Sequence, residues 1–259
     1  MTDTERILQT KGLGKDFKGF TAVSDLDLSV RRGTIHALIG PNGAGKTTVF
    51  NMLTRFLSPS RGRILFKGID ITAEKPSQVA RRGIVRSFQI SATFAHLSVL
   101  DNVRIALQQP TGTSFHFWRS ARLLDRLDAK AVELLAEVGL TDHLQTLAVE
   151  LPYGRKRALE IATTLAMNPE LMLLDEPTQG MGHEDVDRVT ELIRKVSANR
   201  TILMVEHNMS VVASIANTIS VLQRGQIIAE GPYSKVSRDP MVLEAYMGDA
   251  DQALAGAHG

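Results

Sequence analysis

The sequence predicts an α/β fold: a parallel sheet covered by helices on both faces, with antiparallel strands ahead of it and a helical segment inserted part-way. Three observations predict it. Short apolar runs, TIHALI at residues 34–39, ELMLL at 170–174 and TILMV at 201–205, read as strands buried on both faces. Stretches with apolar residues at helical spacing separate them, which is the alternation of an α/β sheet. A glycine-rich turn follows the first run directly.

Taken in order, residues 7–30 alternate apolar and polar types, as in LDLSV, and predict antiparallel strands. The strand at 34–39 ends at Gly40, and residues 49–57 read as the helix after it. Residues 64–66 and 83–88 suggest further short strands. From about 91 to 146 the chain changes character. There ARLLDRLDAKAVELLAEVGL places apolar residues at helical spacing and predicts a mostly helical insertion. Strand 170–174, helix 186–196, strand 201–205 and helix 210–216 follow. SVLQRG and QIIAEG predict a hairpin about Arg224 and Gly225.

With 259 residues and 43% hydrophobic content, the chain can bury a sizeable core. A formal net charge of +2 is not the dense basic signature of a nucleic-acid binder, so no nucleic-acid partner is expected. The chain has no cysteine, which excludes disulfides and thiolate metal sites. The opening MTDTERILQT has no apolar core and is not a secretory signal. No stretch reaches the ~18 apolar residues of a spanning helix, so membrane association is expected through a partner. The last residues, 249–259, are small and polar and predict a flexible tail.

Gly40, Pro41, Asn42, Gly43, Ala44, Gly45, Lys46 and Thr47 spell the P-loop pattern, glycine, four residues, then Gly-Lys-Ser/Thr. Glycines let the backbone curl until its N–H groups converge on an anionic oxygen, and the helix N-terminus adds favourable partial charge. Lys46 would reach the β- and γ-phosphates of ATP. The Thr47 hydroxyl would ligate Mg²⁺, with Thr48 close by.

LMLLDEP, at 171–177, places Asp175 and Glu176 at the C-terminal end of a buried strand, the end where open α/β sheets bind ligands. Asp175 would hold Mg²⁺ directly or through water, and Glu176 would polarise an attacking water. An apolar run before Asp-Glu also fits a helix-capping aspartate. The P-loop upstream favours the catalytic reading.

These motifs, in this order, resemble the ATP-binding-cassette ATPases over nearly the whole chain. The resemblance implies a P-loop fold of that type, with a RecA-like core and antiparallel β subdomain at about 1–90 and 160–248. It places a helical subdomain at about 91–159, in a single nucleotide-binding domain. Gln89, in RSFQ, stands where the family has a glutamine that contacts the metal. His207, in MVEH, stands where it has a switch histidine at the γ-phosphate. Phe17 is similar to the aromatic that stacks on adenine. Leu151, Pro152, Tyr153, Gly154 and Arg155 occupy the position of the signature Leu-Ser-Gly-Gly-Gln and begin a helix that continues as ALEIATTLA. In the family the signature acts in trans, closing over ATP held by a second subunit.

The signature departs from the family pattern. Pro152 replaces a serine and offers neither hydroxyl nor N–H. Tyr153 replaces glycine, Arg155 replaces glutamine, and Gly182 stands where an aspartate is common. These changes touch the trans half of the composite site, so the chain is expected to position its own ATP well and to complete its partner's site poorly.

ARRGIVRSFQ, YGRKRALEIA and the segment GQIIAEGPYSKVSRDPMVLEAYMGD look like the first, longer ATPase of branched-chain amino acid importers. That resemblance implies a heterodimer with a second ATPase, though a homodimer stays open. It also implies two permeases and, indirectly, a periplasmic solute-binding protein. The chain would be peripheral, on the cytoplasmic face of the inner membrane. Relatives of the group carry other amino acids, urea or small aromatic acids. An exporter ATPase, a nucleotide-binding regulatory subunit and a soluble cassette ATPase remain alternatives. Phe94 and Leu97, in SATFAHLSVL, are candidates for gripping a permease helix, or else for subdomain core.

Overall fold

The computed structural model of the chain describes residues 5–87, 93–108 and 121–246, with side chains from residue 127 onward in the last stretch. The chain runs through β1 (Arg6–Phe17), β2 (Phe20–Leu26), β3 (Ser29–Arg31), β4 (Ile35–Ile39) and α1 (Lys46–Leu53). Next come β5 (Arg61–Phe66), β6 (Ile69–Asp70), α2 (Pro76–Arg81) and β7 (Ile84–Arg86). The helices α3 (Val99–Gln108), α4 (Ala121–Glu137) and α5 (Tyr153–Ala166) follow. The last part holds β8 (Leu171–Asp175), α6 (His183–Ser197), β9 (Thr201–Val205), α7 (Met209–Ile215), β10 (Thr218–Gln223), β11 (Gln226–Gly231) and α8 (Tyr233–Val236).

Among the described residues two sheets form. One has the order β11-β10-β4-β9-β8-β7, parallel from β10 to β7. Its edge strand β11 pairs antiparallel with β10 through the hairpin expected at Arg224 and Gly225. Their φ angles of 48° and 79° match a two-residue turn whose twist suits a hairpin. The other sheet is antiparallel, β2-β1-β5-β6, with β3 also paired to β1.

The apolar runs explain the layers. Successive strand residues face opposite ways, and in β8 Leu171 and Leu173 join one hydrophobic cluster while Met172 and Leu174 join the other. In β9 Leu203 and Val205 divide from Ile202 and Met204 in the same manner. One cluster holds the antiparallel sheet and α1, with Phe50, Phe66 and Leu53 fully buried. The other holds apolar faces of α3, α4, α5, α6 and α7. No described helix is long and apolar enough to cross a membrane.

Several helix bounds differ from the sequence reading, α6 among them, which starts at His183 instead of 186. The helix expected at 49–57 spans Lys46–Leu53, because Arg55 takes φ 61° and turns the chain out of the helix. Thr54 closes the end, its N–H and hydroxyl both donating to Phe50 O. The helix begun by the signature segment starts at Tyr153 and runs through ALEIATTLA to Ala166, with Pro152 as its N-cap at φ −56°. A proline suits a helix entrance, where its missing N–H leaves no bond unmade.

Candidate functional site

The loop between β4 and α1 is shaped by its neighbours as much as by any ligand. A Cβ on Gly40 would lie 2.0 Å from Leu222 O, and one on Gly45 would lie 2.7 Å from Ala22 O. Gly43, at φ 74°, meets nothing within 4 Å, so that part of the loop faces open space. Lys46 is buried and its Nζ donates to Gly40 O at 2.6 Å and Pro41 O at 2.8 Å, folding the ammonium back under the loop. Thr47 and Thr48 lie in the first turn of α1, Thr47 exposed.

Asp175 is the last residue of β8 and Glu176 follows at φ 46°. That left-handed conformation is costly for a residue with a Cβ and breaks the strand, turning the next carboxylate out of the sheet. The Asp175 carboxylate is held by the guanidinium of Arg86 from β7. Arg157 Nη2 donates to Asp175 O at 2.8 Å.

Glu176 Oε1 lies 2.7 Å from His207 Nε2. With Asn42 of the P-loop, both line one open cleft that Thr178, Gln179 and Asn208 also border. The structure thus brings together the P-loop, the acidic pair and the histidine. Beneath them sits Glu206, buried, whose carboxylate accepts from Thr178 N at 3.2 Å, His207 N at 2.7 Å, Asn208 N at 3.4 Å and the Thr178 hydroxyl. It ties the turn after β8 to the turn after β9.

The signature segment opens α5. Leu151 is buried, while Pro152, Tyr153 and Arg155 are exposed. Tyr153 Oη donates to Gln179 O at 3.2 Å, and Arg155 pairs with His143. A Cβ on Gly154 would lie 2.5 Å from Asp185 Oδ1, so glycine lets α5 and α6 approach there. Gly182 is the N-cap of α6, and nothing lies within 4 Å of an added Cβ.

Phe17 ends β1 and is 45% exposed, with Lys15 Nζ 5.2 Å from its ring centre. Phe94 is 54% exposed and Leu97 37%, so neither is core. Gln89 lies outside the described residues. Arg86, Arg157, Glu160 and Glu206 escaped the sequence reading. The faint signal for Glu206 was a carboxylate at the end of a wholly apolar run, and for Arg86 a cation closing a short strand.

Among the described residues no group of three or more His, Cys, Asp or Glu side chains could hold a metal. A cage made of protein alone is therefore not what these residues build. The Thr47 hydroxyl and the Asp175 carboxylate are hard oxygen donors, which suit Mg²⁺ sharing its shell with phosphates and water.

Residues 23–179 match the family described as ABC transporter, and residues 226–252 match the one described as branched-chain amino acid ATP-binding cassette transporter. The chain is 36% identical over 254 residues to BraF of Pseudomonas aeruginosa, a high-affinity branched-chain amino acid transport ATP-binding protein, covering 94% of this chain and 98% of that one. It is 36% identical over 258 residues to LivG of Escherichia coli, of the same description, covering 95% and 100%. A solved ATP-binding cassette of an ABC transporter superposes with a TM-score of 0.84 at 31% identity, over 93% of this chain and 98% of the other. Another, in its ADP conformation, gives 0.82 at 30%, over 94% and 99%. The family match, the relatives and the fold agree: the chain belongs to the ABC transporter family, as an ATPase cassette.

Proposed function

We propose that this chain is the ATP-hydrolysing subunit that energises an importer of branched-chain amino acids or related small solutes. The observation that carries the substrate class is the match of residues 226–252, together with the BraF and LivG relatives. The observation that carries hydrolysis is the contact of Glu176 with His207 beside the P-loop.

Hydrolysis joins a water oxygen to the γ-phosphorus and breaks its bond to the bridging oxygen of the β-phosphate. In this reading the P-loop N–H groups and Lys46 bind the triphosphate, and Phe17 stacks on adenine. Glu176 polarises the water and takes up its proton, and His207 holds Glu176 and reaches the γ-phosphate. Thr47 and Asp175, with Gln89, would hold Mg²⁺, which would supply positive charge to neutralise the phosphates. Residues 151–155 close over the ATP of a second cassette subunit. The described helices α3, α4 and α5 belong, in this reading, to the helical subdomain between the two parts of the core. The exposed Phe94 and Leu97 offer that subdomain's apolar surface to a permease.

The partners in this reading are a second, different ATPase, two permeases and, through them, a periplasmic binding protein, with the chain peripheral at the cytoplasmic face of the inner membrane. The test is to isolate the chain from detergent-solubilised membranes of its host. Recovery with two permeases and a second cassette ATPase supports the importer. Repeated recovery alone from the soluble fraction overturns it.

A further inference from the structure

We propose that Arg86 is a positioning residue that acts as the resting counter-ion of Asp175 and yields that carboxylate when Mg²⁺ enters with nucleotide. This rests on the reading of Asp175 as a metal ligand.

Three observations carry it. The pair is sheltered, with side-chain exposures of 17% for Arg86 and 15% for Asp175, so its charges are weakly screened. The guanidinium is fixed from its other side: Nη1 donates to Asn51 Oδ1 of α1 at 2.6 Å, and the group lies 5.9 Å from the centre of the Phe50 ring. Arg86 therefore joins the helix that begins at the P-loop to the carboxylate at the end of β8. Asp175 is also held at its main-chain oxygen by Arg157, so its backbone stays in place whatever its side chain pairs with.

Charge then dictates the behaviour. A sheltered carboxylate beside a triphosphate site repels nucleotide unless a cation neutralises it. Arg86 supplies that cation before the metal arrives. A metal on Asp175 competes with the guanidinium for the same carboxylate. Arg86 should thus favour metal-free nucleotide binding and weaken the advantage gained from the metal.

The experiment measures ATP binding by calorimetry, with Mg²⁺ and with EDTA, in a Glu176→Gln background that removes turnover. Arg86→Met keeps apolar packing on Phe50 and loses the charge. The expected result is binding weakened about tenfold in EDTA and within about threefold of the parent in Mg²⁺, the scale of one sheltered charge contact. Adding Asp175→Asn to Arg86→Met should restore the EDTA affinity, because no lone carboxylate is left. Arg86→Lys should lie near the parent. Should the methionine chain fail to fold, Arg86→Gln serves, since it removes the charge and keeps a polar side chain at that position. Equal weakening in Mg²⁺ and EDTA would overturn the proposal in favour of a structural role. Asp175→Asn alone with an unaltered Mg²⁺ dependence would overturn the metal reading of Asp175 and the proposal with it. An unaltered ratio in Arg86→Met beside an altered one in Asp175→Asn would overturn the role of Arg86 alone.

Discussion

The imidazole of His207 and the carboxylate of Glu176 are joined by a 2.7 Å contact, although their strands β9 and β8 bring them from sequence positions 31 residues apart. The parallel pairing of Asp175 with Val205 sets that meeting, because it aligns the ends of both strands. Glu176→Gln keeps the shape and loses the base, and His207→Ala removes the group that holds it. Each should lower steady-state ATP hydrolysis by about a hundredfold or more while leaving nucleotide binding in place. Phosphate release and ATP binding, measured on the same preparations, check this.

Glu206 gathers four donors from two turns with one buried carboxylate. Glu206→Gln would present an NH₂ group to N–H donors that need an acceptor. The expected cost is about 1–3 kcal/mol in stability, read by urea unfolding, with reduced turnover because His207 loses its anchor. An unaltered unfolding midpoint would count against this account of the two turns.

Pro152→Ser tests whether the irregular signature limits the partner's site. A serine N-cap adds about 1 kcal/mol to helix stability, and removal of the proline costs about 0.4–1 kcal/mol through the unfolded chain. The two nearly cancel, so α5 should keep its stability. A rise in ATP turnover of the assembled complex would then report the regained hydroxyl. Unchanged turnover would remove support for Pro152 as the limiting residue.

His36 gives the pH dependence. It is 1% exposed in β4, and burial, aided by the nearby charge of Arg31, lowers its pKa from 6.5 to about 4. Its Nε2 lies 2.8 Å from Ser220 Oγ, which donates onward to Glu230 Oε2 at 2.6 Å. The unfolded chain takes the proton below pH 6.5 and the folded chain only near pH 4. Stability is therefore lost as pH falls through that window. The loss between pH 7 and pH 5 should be about 2 kcal/mol from this group. Urea unfolding at both pH values should show a smaller loss in His36→Gln, which cannot titrate.

Much of this was legible in the sequence, for physical reasons. Strands β4, β8 and β9 lie in the middle of a sheet covered on both sides, so nearly every residue in them is apolar and the runs stand out. The P-loop was legible because its glycines answer a local demand: Gly40 and Gly45 have no room for a Cβ. Ion pairs between distant segments left no such mark. Arg86 meets Asp175 across 89 positions, and nothing in the alternation of IVR announces it. Glu160 lies inside ALEIATTLA, and nothing in that pattern shows that it is 2% exposed and paired with Arg157. Burial holds its pKa above the usual carboxylate range, against the pull of that arginine. The helix end at Thr54 was missed because an end depends on one backbone angle, not on a periodicity.

The division of the interior by the parallel sheet has a mechanical consequence. The strands form a bulkhead with a separate hydrophobic compartment on each side. Helix α1 is moored in one compartment, and α3, α4 and α5 are moored in the other. A rotation of the three helices need disturb only their own compartment, leaving the P-loop on an unmoved wall. The Arg157 bond to Asp175 O is a tether through which such a rotation would be felt at the end of β8. A fixed P-loop and a shifted α5 are compatible in one chain because its core is built as two rooms.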